Sequence, residues 1–132
     1  MRLLFVCTGN ICRSPMAAAI AQRLLDGRGR TDVAVASAGT AAWDGAPASE
    51  GAYLVALEHN LDLSAHRARQ LTSDLVADAD CVLGMSAHHV ERAVALGGDG
   101  KSHLLGAYAG RSAGDAQVDD PFGGDLDEYR VT

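Results

Sequence analysis

A chain of 132 residues, 48% of them hydrophobic, suits one soluble domain with a single core. Eleven basic against seventeen acidic residues, a net charge of −6, exclude the broad positive field that nucleic acid or an anionic membrane surface requires, and no apolar run approaches the ~20 residues of a membrane span. Three cysteines, an odd number, speak against a secreted disulfide scaffold and for a reducing cytoplasm, and the apolar start from Met1 to Val6 is too short for a signal peptide.

Leu3 to Val6 is the first continuous apolar run and predicts a buried strand. It leads through Cys7-Thr8-Gly9-Asn10-Ile11-Cys12-Arg13 into Ser14-Pro15, read as a helix cap followed by a first-turn proline. Helical periodicity then runs from Pro15 to Leu25, with Met16, Ile20 and Leu24 on compatible faces, until Gly27 and Gly29 stop it. Val33 to Ala38 predicts a second strand, and Pro47 to Glu58 a second helix opening on its proline. Leu71 to Ala77 is a short third helix capped by Thr72 or Ser73. Cys81 to Met85 gives a third strand, Ser86 to Leu96 a fourth helix ended by Gly97-Gly98, and His103 to Leu105 a weaker fourth strand. A further pattern begins at Asp125-Leu126-Asp127-Glu128-Tyr129. Strand and helix alternate, and unbroken apolar strands require cover on both faces. The expected fold is therefore α/β: a single doubly wound domain over residues 1–132, with a mainly parallel four-stranded sheet and helices on both faces.

Ligands of such sheets gather beyond the carboxyl ends of the strands, which is where Cys7 to Arg13 falls. A short loop carrying Gly9 and Asn10 can turn its backbone N–H groups inward as an anion nest. The start of the helix would face the same anion, and the Arg13 guanidinium can grip two phosphate oxygens. These groups also favour an ionised sulfur on Cys7, which could attack phosphorus without a histidine base. A cysteine at a strand end is more often a small apolar filler, and the C-x5-R spacing alone is weak. The whole string C-T-G-N-I-C-R-S-P after a strand is much more specific.

The string resembles the phosphate loop of low-molecular-weight protein tyrosine phosphatases. Three further motifs follow in the family's order: Ser37-Ala38-Gly39-Thr40, His66-Arg67-Ala68-Arg69-Gln70-Leu71-Thr72, and Asp120-Pro121-Phe122. The resemblance implies hydrolysis of a phosphorylated protein through a phosphocysteine, with no metal or cofactor and with no call on nucleic acid or membrane. It implies Cys7 as nucleophile, Arg13 as phosphate ligand and Asp120 as general acid and then base. Asp119 is read as a solvated loop charge. Thr8, Gly9, Asn10, Ile11, Cys12 and Ser14 would surround the phosphate, and Ser37 and His66 would join Asn10 and Ser14 in a supporting hydrogen-bond network. Cys12 either fills space behind the loop or, as in relatives, forms a reversible disulfide with Cys7. Family members continue into a terminal helix, so an end at Thr132 predicts exposed apolar surface on one sheet face or a missing tail. A monomer is expected.

Ile11, Trp43 and Phe122 would form an apolar rim suited to a phenyl ring, which favours phosphotyrosine. The related protein-arginine-phosphatase branch carries threonine in place of Ile11, yet "DPFGG" at 120–124 looks like that branch. Phosphoarginine therefore stays as the alternative. Arsenate reductases share the scaffold but relay a disulfide through two more cysteines, and only Cys81 remains, in an apolar run where burial would leave it inert. Their loop also has glutamine where Pro15 stands. A non-catalytic phosphoprotein-binding module would need neither Cys7 nor Asp120. "ALGGDGKS" lacks the first glycine of a nucleotide-binding loop because Ala95 occupies it. His88 and His89 are adjacent and cannot face one metal along a helix. Ser86 stands where relatives often carry aspartate, a loss of loop bracing.

Overall fold

Leu4, Phe5, Val6 and Cys7 are all buried, so the strand they build, β1 (Arg2–Cys7), is covered on both faces. It lies inside a four-stranded sheet. The structure, a computed structural model, describes residues 1–110 and 117–132. β2 (Ala34–Gly39) pairs with one edge of β1, from Arg2 opposite Ala34 to Cys7 opposite Gly39. β3 (Cys81–Gly84) takes the other edge, from Leu3 opposite Cys81 to Val6 opposite Gly84. β4 (Ser102–Leu104) completes the order β2-β1-β3-β4, with each pairing parallel. The chain goes from β1 to β2 and then crosses to β3 on the far side. The strand order thus reverses between the carboxyl ends of β1 and β3, where open α/β sheets place their ligands.

Helices cover both faces, as expected. α1 (Arg13–Gly27) meets the sheet through Ala17, Ala18 and Ala21, which pack on Phe5, Leu83 and Met85. Small side chains let the helix approach closely, and this changes the expected face. Met16 is buried, but Ile20 and Leu24 are 49% and 55% exposed. α3 (Ser73–Asp78) and α4 (Ala87–Ala93) cover the opposite face, where Val76 and Ala93 close over Leu4, Val6 and Val82. α2 (Glu50–Glu58) and α6 (Leu126–Val131) pack beside the start of α1, around Cys12, Met16, Ala52, Val55 and Tyr129. α5 (Leu105–Tyr108) follows β4 directly.

Local chemistry moves several boundaries. α2 starts at Glu50 rather than Pro47, because the Ser49 hydroxyl accepts from the Ala52 N–H and caps it there. α3 starts after Thr72, whose hydroxyl accepts from the Leu75 N–H at 3.2 Å. Leu71, expected in that helix, instead hydrogen-bonds Gly39 and lies along the end of β2. α4 passes into a π-helical turn, Val94–Gly98, which Gly97 ends at φ 105°. Ile20 and Leu24 join Val55, Leu61, Leu105 and Tyr129 around an open, largely apolar groove of about 680 Å³. Among the described residues no helix is long and apolar enough to cross a membrane.

Candidate active site

The loop between β1 and α1 wraps a cavity of about 290 Å³. Cys7, Thr8, Gly9, Ile11, Cys12 and Arg13 line one side; Trp43, Asp120 and Phe122 come in from two other loops. Asn10 and Ser14, also expected on the wall, lie behind it and are fully buried. The loop reverses through Asn10, which sits in the left-handed region at φ 56°. That conformation is held by four hydrogen bonds. Asn10 Nδ2 donates to Ser14 Oγ at 2.8 Å and to Ser37 Oγ at 2.9 Å, its Oδ1 accepts from the Arg69 N–H, and its carbonyl pairs with His66 Nε2 at 2.6 Å. Ser37 and His66 are thus both joined to Asn10. Gly39 belongs to the same packing: a Cβ there would press on the Thr8 carbonyl and stand 2.9 Å from the Asn10 nitrogen.

Ser14 is not the helix cap. α1 begins at Arg13, and its N-cap, Cys12, makes no side-chain capping bond. The first-turn N–H groups are therefore left without the usual side-chain oxygen, as an anion site requires. Ser14 has a different task. Its oxygen accepts from Asn10 and lies 2.9 Å from Cys7 Sγ, so its own hydrogen is free to point at sulfur.

Arg13 is 5% exposed and reaches three groups. Nη1 donates to the Val118 carbonyl at 2.9 Å and to Ser86 Oγ at 3.3 Å, while Nη2 stands 3.6 Å from Asp120 Oδ2. Ser86 braces the arginine in the place where aspartate was expected of relatives. The Asp120 carboxylate also accepts from the Phe122 N–H at 3.0 Å, closing the turn over Pro121. Asp120 is half exposed, so it faces both the cavity and solvent. Asp119 is exposed, as read from sequence. Trp43 and Phe122 are 85% and 66% exposed, open to a bound partner.

The other two cysteines have surroundings different from those of Cys7. Cys12 Sγ lies 3.2 Å from Ser49 Oγ and 3.5 Å from the Tyr129 hydroxyl, and burial pushes its thiol up. Cys81 is buried under α1, and burial raises it as well.

His89, which adjacency to His88 excludes as half of a metal pair, is fully buried against the loop. Its Nε2 is 2.8 Å from Thr8 Oγ1 and its Nδ1 accepts from the Ser86 N–H at 3.0 Å. Burial, with a smaller effect from His88, pushes the ring down to about 4. The only sequence signal was its place three residues after Ser86, the spacing of a capping box.

Comparison with known proteins agrees with this geometry. The profile described as "Low molecular weight phosphotyrosine protein phosphatase" matches residues 2–132. The chain is 40% identical to a protein-arginine-phosphatase of Geobacillus stearothermophilus, over 98% of this chain and 84% of that protein. It is 39% identical to the low molecular weight protein-tyrosine-phosphatase PtpB of Staphylococcus haemolyticus, over 100% of this chain and 89% of that one. The crystal structure of a low molecular weight protein tyrosine phosphatase from T. tengcongensis superposes with a TM-score of 0.89 at 38% identity, covering 98% of this chain and 88% of that chain. A hydrolase that acts on phosphorylated protein, this chain belongs to the low-molecular-weight phosphotyrosine protein phosphatase family.

Proposed function

We propose that the protein hydrolyses phosphotyrosine in proteins by way of a phosphocysteine on Cys7. The observation that carries this reading is the convergence of Cys7, Arg13 and Asp120 on one cavity at the carboxyl end of β1. A phosphate dianion enters the nest and takes the Arg13 guanidinium, displacing the Asp120 carboxylate that pairs with it in the empty site; the released carboxylate takes up a proton from solvent. Ser14 donates to Cys7 Sγ and holds the ionised sulfur in line with phosphorus. An S–P bond forms as the P–O bond to tyrosine breaks, and Asp120 gives its proton to the departing phenolate oxygen. Asp120 then takes a proton from water, the water oxygen attacks phosphorus, and the S–P bond breaks to release inorganic phosphate and restore the thiolate. Positioning and charge come from Arg13 and the α1 N-terminus, with no metal in the scheme.

Ile11, Trp43 and Phe122 favour the phenyl ring: they offer apolar contact around the mouth and no hydrogen-bonding side chain to a guanidinium. Phosphoarginine is the second reading, supported by the resemblance to the Geobacillus enzyme and by Phe122-Gly123-Gly124 after the proline.

Phosphate release from matched phosphotyrosine and phosphoarginine peptides tests both. The tyrosine peptide should be preferred and should show a product burst equal to the enzyme concentration. Cys7→Ser should abolish turnover, whereas Asp120→Asn should slow it by roughly 10²–10⁴-fold, most severely for poor leaving groups. Full activity of Cys7→Ser would sink the mechanism; preference for the arginine peptide would transfer it to the second reading.

A further inference from the structure

We propose that His89 is a positioning residue that fixes the Thr8 hydroxyl as a hydrogen-bond donor to bound phosphate. This rests on the reading of the Cys7–Arg13 loop as a phosphate site. The argument is one of proton inventory. His89 is fully buried at the amino end of α4, and its Nδ1 accepts from the Ser86 N–H at 3.0 Å. A nitrogen that accepts carries no proton, so the single proton of the neutral ring sits on Nε2. Nε2 lies 2.8 Å from Thr8 Oγ1 and donates to it. Thr8 Oγ1 is then occupied as an acceptor, and among the described residues its own hydrogen has no other side-chain or backbone partner. Thr8 lines the cavity beside Cys7 and Arg13, so the remaining hydrogen is available to an oxygen bound there. Were the ring the other tautomer, Thr8 would have to donate to Nε2 and could offer the phosphate only a lone pair, which a dianion repels.

The charged surroundings favour the same state. Arg13 faces the ring across Ser86, the His88 ring lies tilted beside it at 48° with ring centroids 4.0 Å apart, and Asp120 acts on it from the far side of the cavity. Burial is the main effect against a second proton on the ring; with smaller ones from His88 and Arg13 it outweighs Asp120. The imidazole therefore stays neutral with one proton in a fixed place. α4 thereby serves the site twice, through Ser86 on Arg13 and through His89 on Thr8.

The tautomer can be read directly by nitrogen NMR of the histidine rings in the wild-type protein. Between pH 6 and 8, His89 should show a protonated Nε2, a bare Nδ1 and no titration. A protonated Nδ1, or titration in that range, overturns the proposal. Binding of inorganic phosphate then tests the consequence without catalysis. His89→Met, which removes both bonds, should weaken phosphate binding roughly tenfold, the loss expected for one hydrogen bond to a charged group. His89→Gln retains an acceptor for Ser86 and a donor for Thr8 and should restore most of the affinity. In a Thr8→Val background His89→Met should cost less than twofold more. An equal loss in both backgrounds would show a structural role alone and refute the assignment. These readouts need no turnover, so the failure of the phosphatase scheme would appear separately, in the peptide assay.

Discussion

Asn10 shows what a single residue contributes to this site. It supplies the left-handed turn that only glycine and a few small polar side chains adopt readily, and it binds four partners from three parts of the chain. The trio proposed to carry catalysis is legible in the sequence because the chemistry asked of it lies in residue type: a cysteine and an arginine six positions apart after a strand, and an aspartate before a proline. The orientation of Ser14 is not. Its neighbour Pro15 reads as a first helical residue, but with α1 starting at Arg13 the hydroxyl is drawn to sulfur instead of to the helix end. Ser86 and His89 were harder still, since their partners, Arg13 and Thr8, are 73 and 81 residues away. Substrate choice is also decided at this scale. Ile11 is half-buried on the cavity wall and offers only methyl and methylene groups. Ile11→Thr would place a hydroxyl there as an acceptor for guanidinium N–H. The rate ratio of phosphoarginine to phosphotyrosine peptide should rise roughly fivefold, the value of about one neutral hydrogen bond. A ratio left unchanged in paired assays would place the selectivity elsewhere on the rim.

Among the elements, α4 has the clearest dependence on pH. His89 sits at about 4 in the folded protein against an ordinary 6.5, because burial penalises the imidazolium. Between those values the unfolded chain holds a proton that the folded chain refuses, so acid favours unfolding. The loss begins as pH falls below 6.5, accumulates to about 4, and then levels off for this group, with a total on the order of 3 kcal/mol. Urea unfolding of wild type and His89→Gln at pH 7, 5.5 and 4 should show the steeper decline in wild type; parallel curves would remove His89 as the cause. Helix starts were legible where a side chain supplies the cap, as Thr72 does, and misread where proline competed with it: Pro47 fits a first turn, but Ser49 closes the helix two residues later. The face of α1 was misjudged for a packing reason. A sheet built from Phe5, Leu83 and Met85 already fills the interlayer space, so alanines rather than Ile20 and Leu24 meet it.

For the molecule as a whole, unbroken apolar strands and their alternation with helices were enough to anticipate a doubly wound parallel sheet, since such strands are stable only when covered on both sides. An exposed apolar groove lies beside α1. What could not be read was how the acid-bearing segment is fastened. Asp120 sits five residues before Asp125, whose carboxylate caps α6 by accepting from the Glu128 N–H at 3.0 Å. α6 is tied down by Arg130, which forks onto Glu58 at 2.9 and 2.7 Å, and by Tyr129, buried against α2. Each tie joins segments remote in sequence, and neither has a local signature.

Gly51 is where this fastening is most sensitive. The Tyr129 ring lies so close over residue 51 that a methyl group there would occupy the same space as its Cε2, Cδ2 and Cζ atoms. Gly51→Ala, harmless to an isolated helix and even favourable to it, should pry α6 upward and slacken the tether of Asp120, the proposed proton donor. Turnover of aryl phosphates with basic leaving groups should fall several-fold more than that of acidic ones, with phosphate affinity nearly intact, a split measurable across a leaving-group series. The absence of one side chain on the second helix thereby sets the reach of a carboxyl group that never touches it.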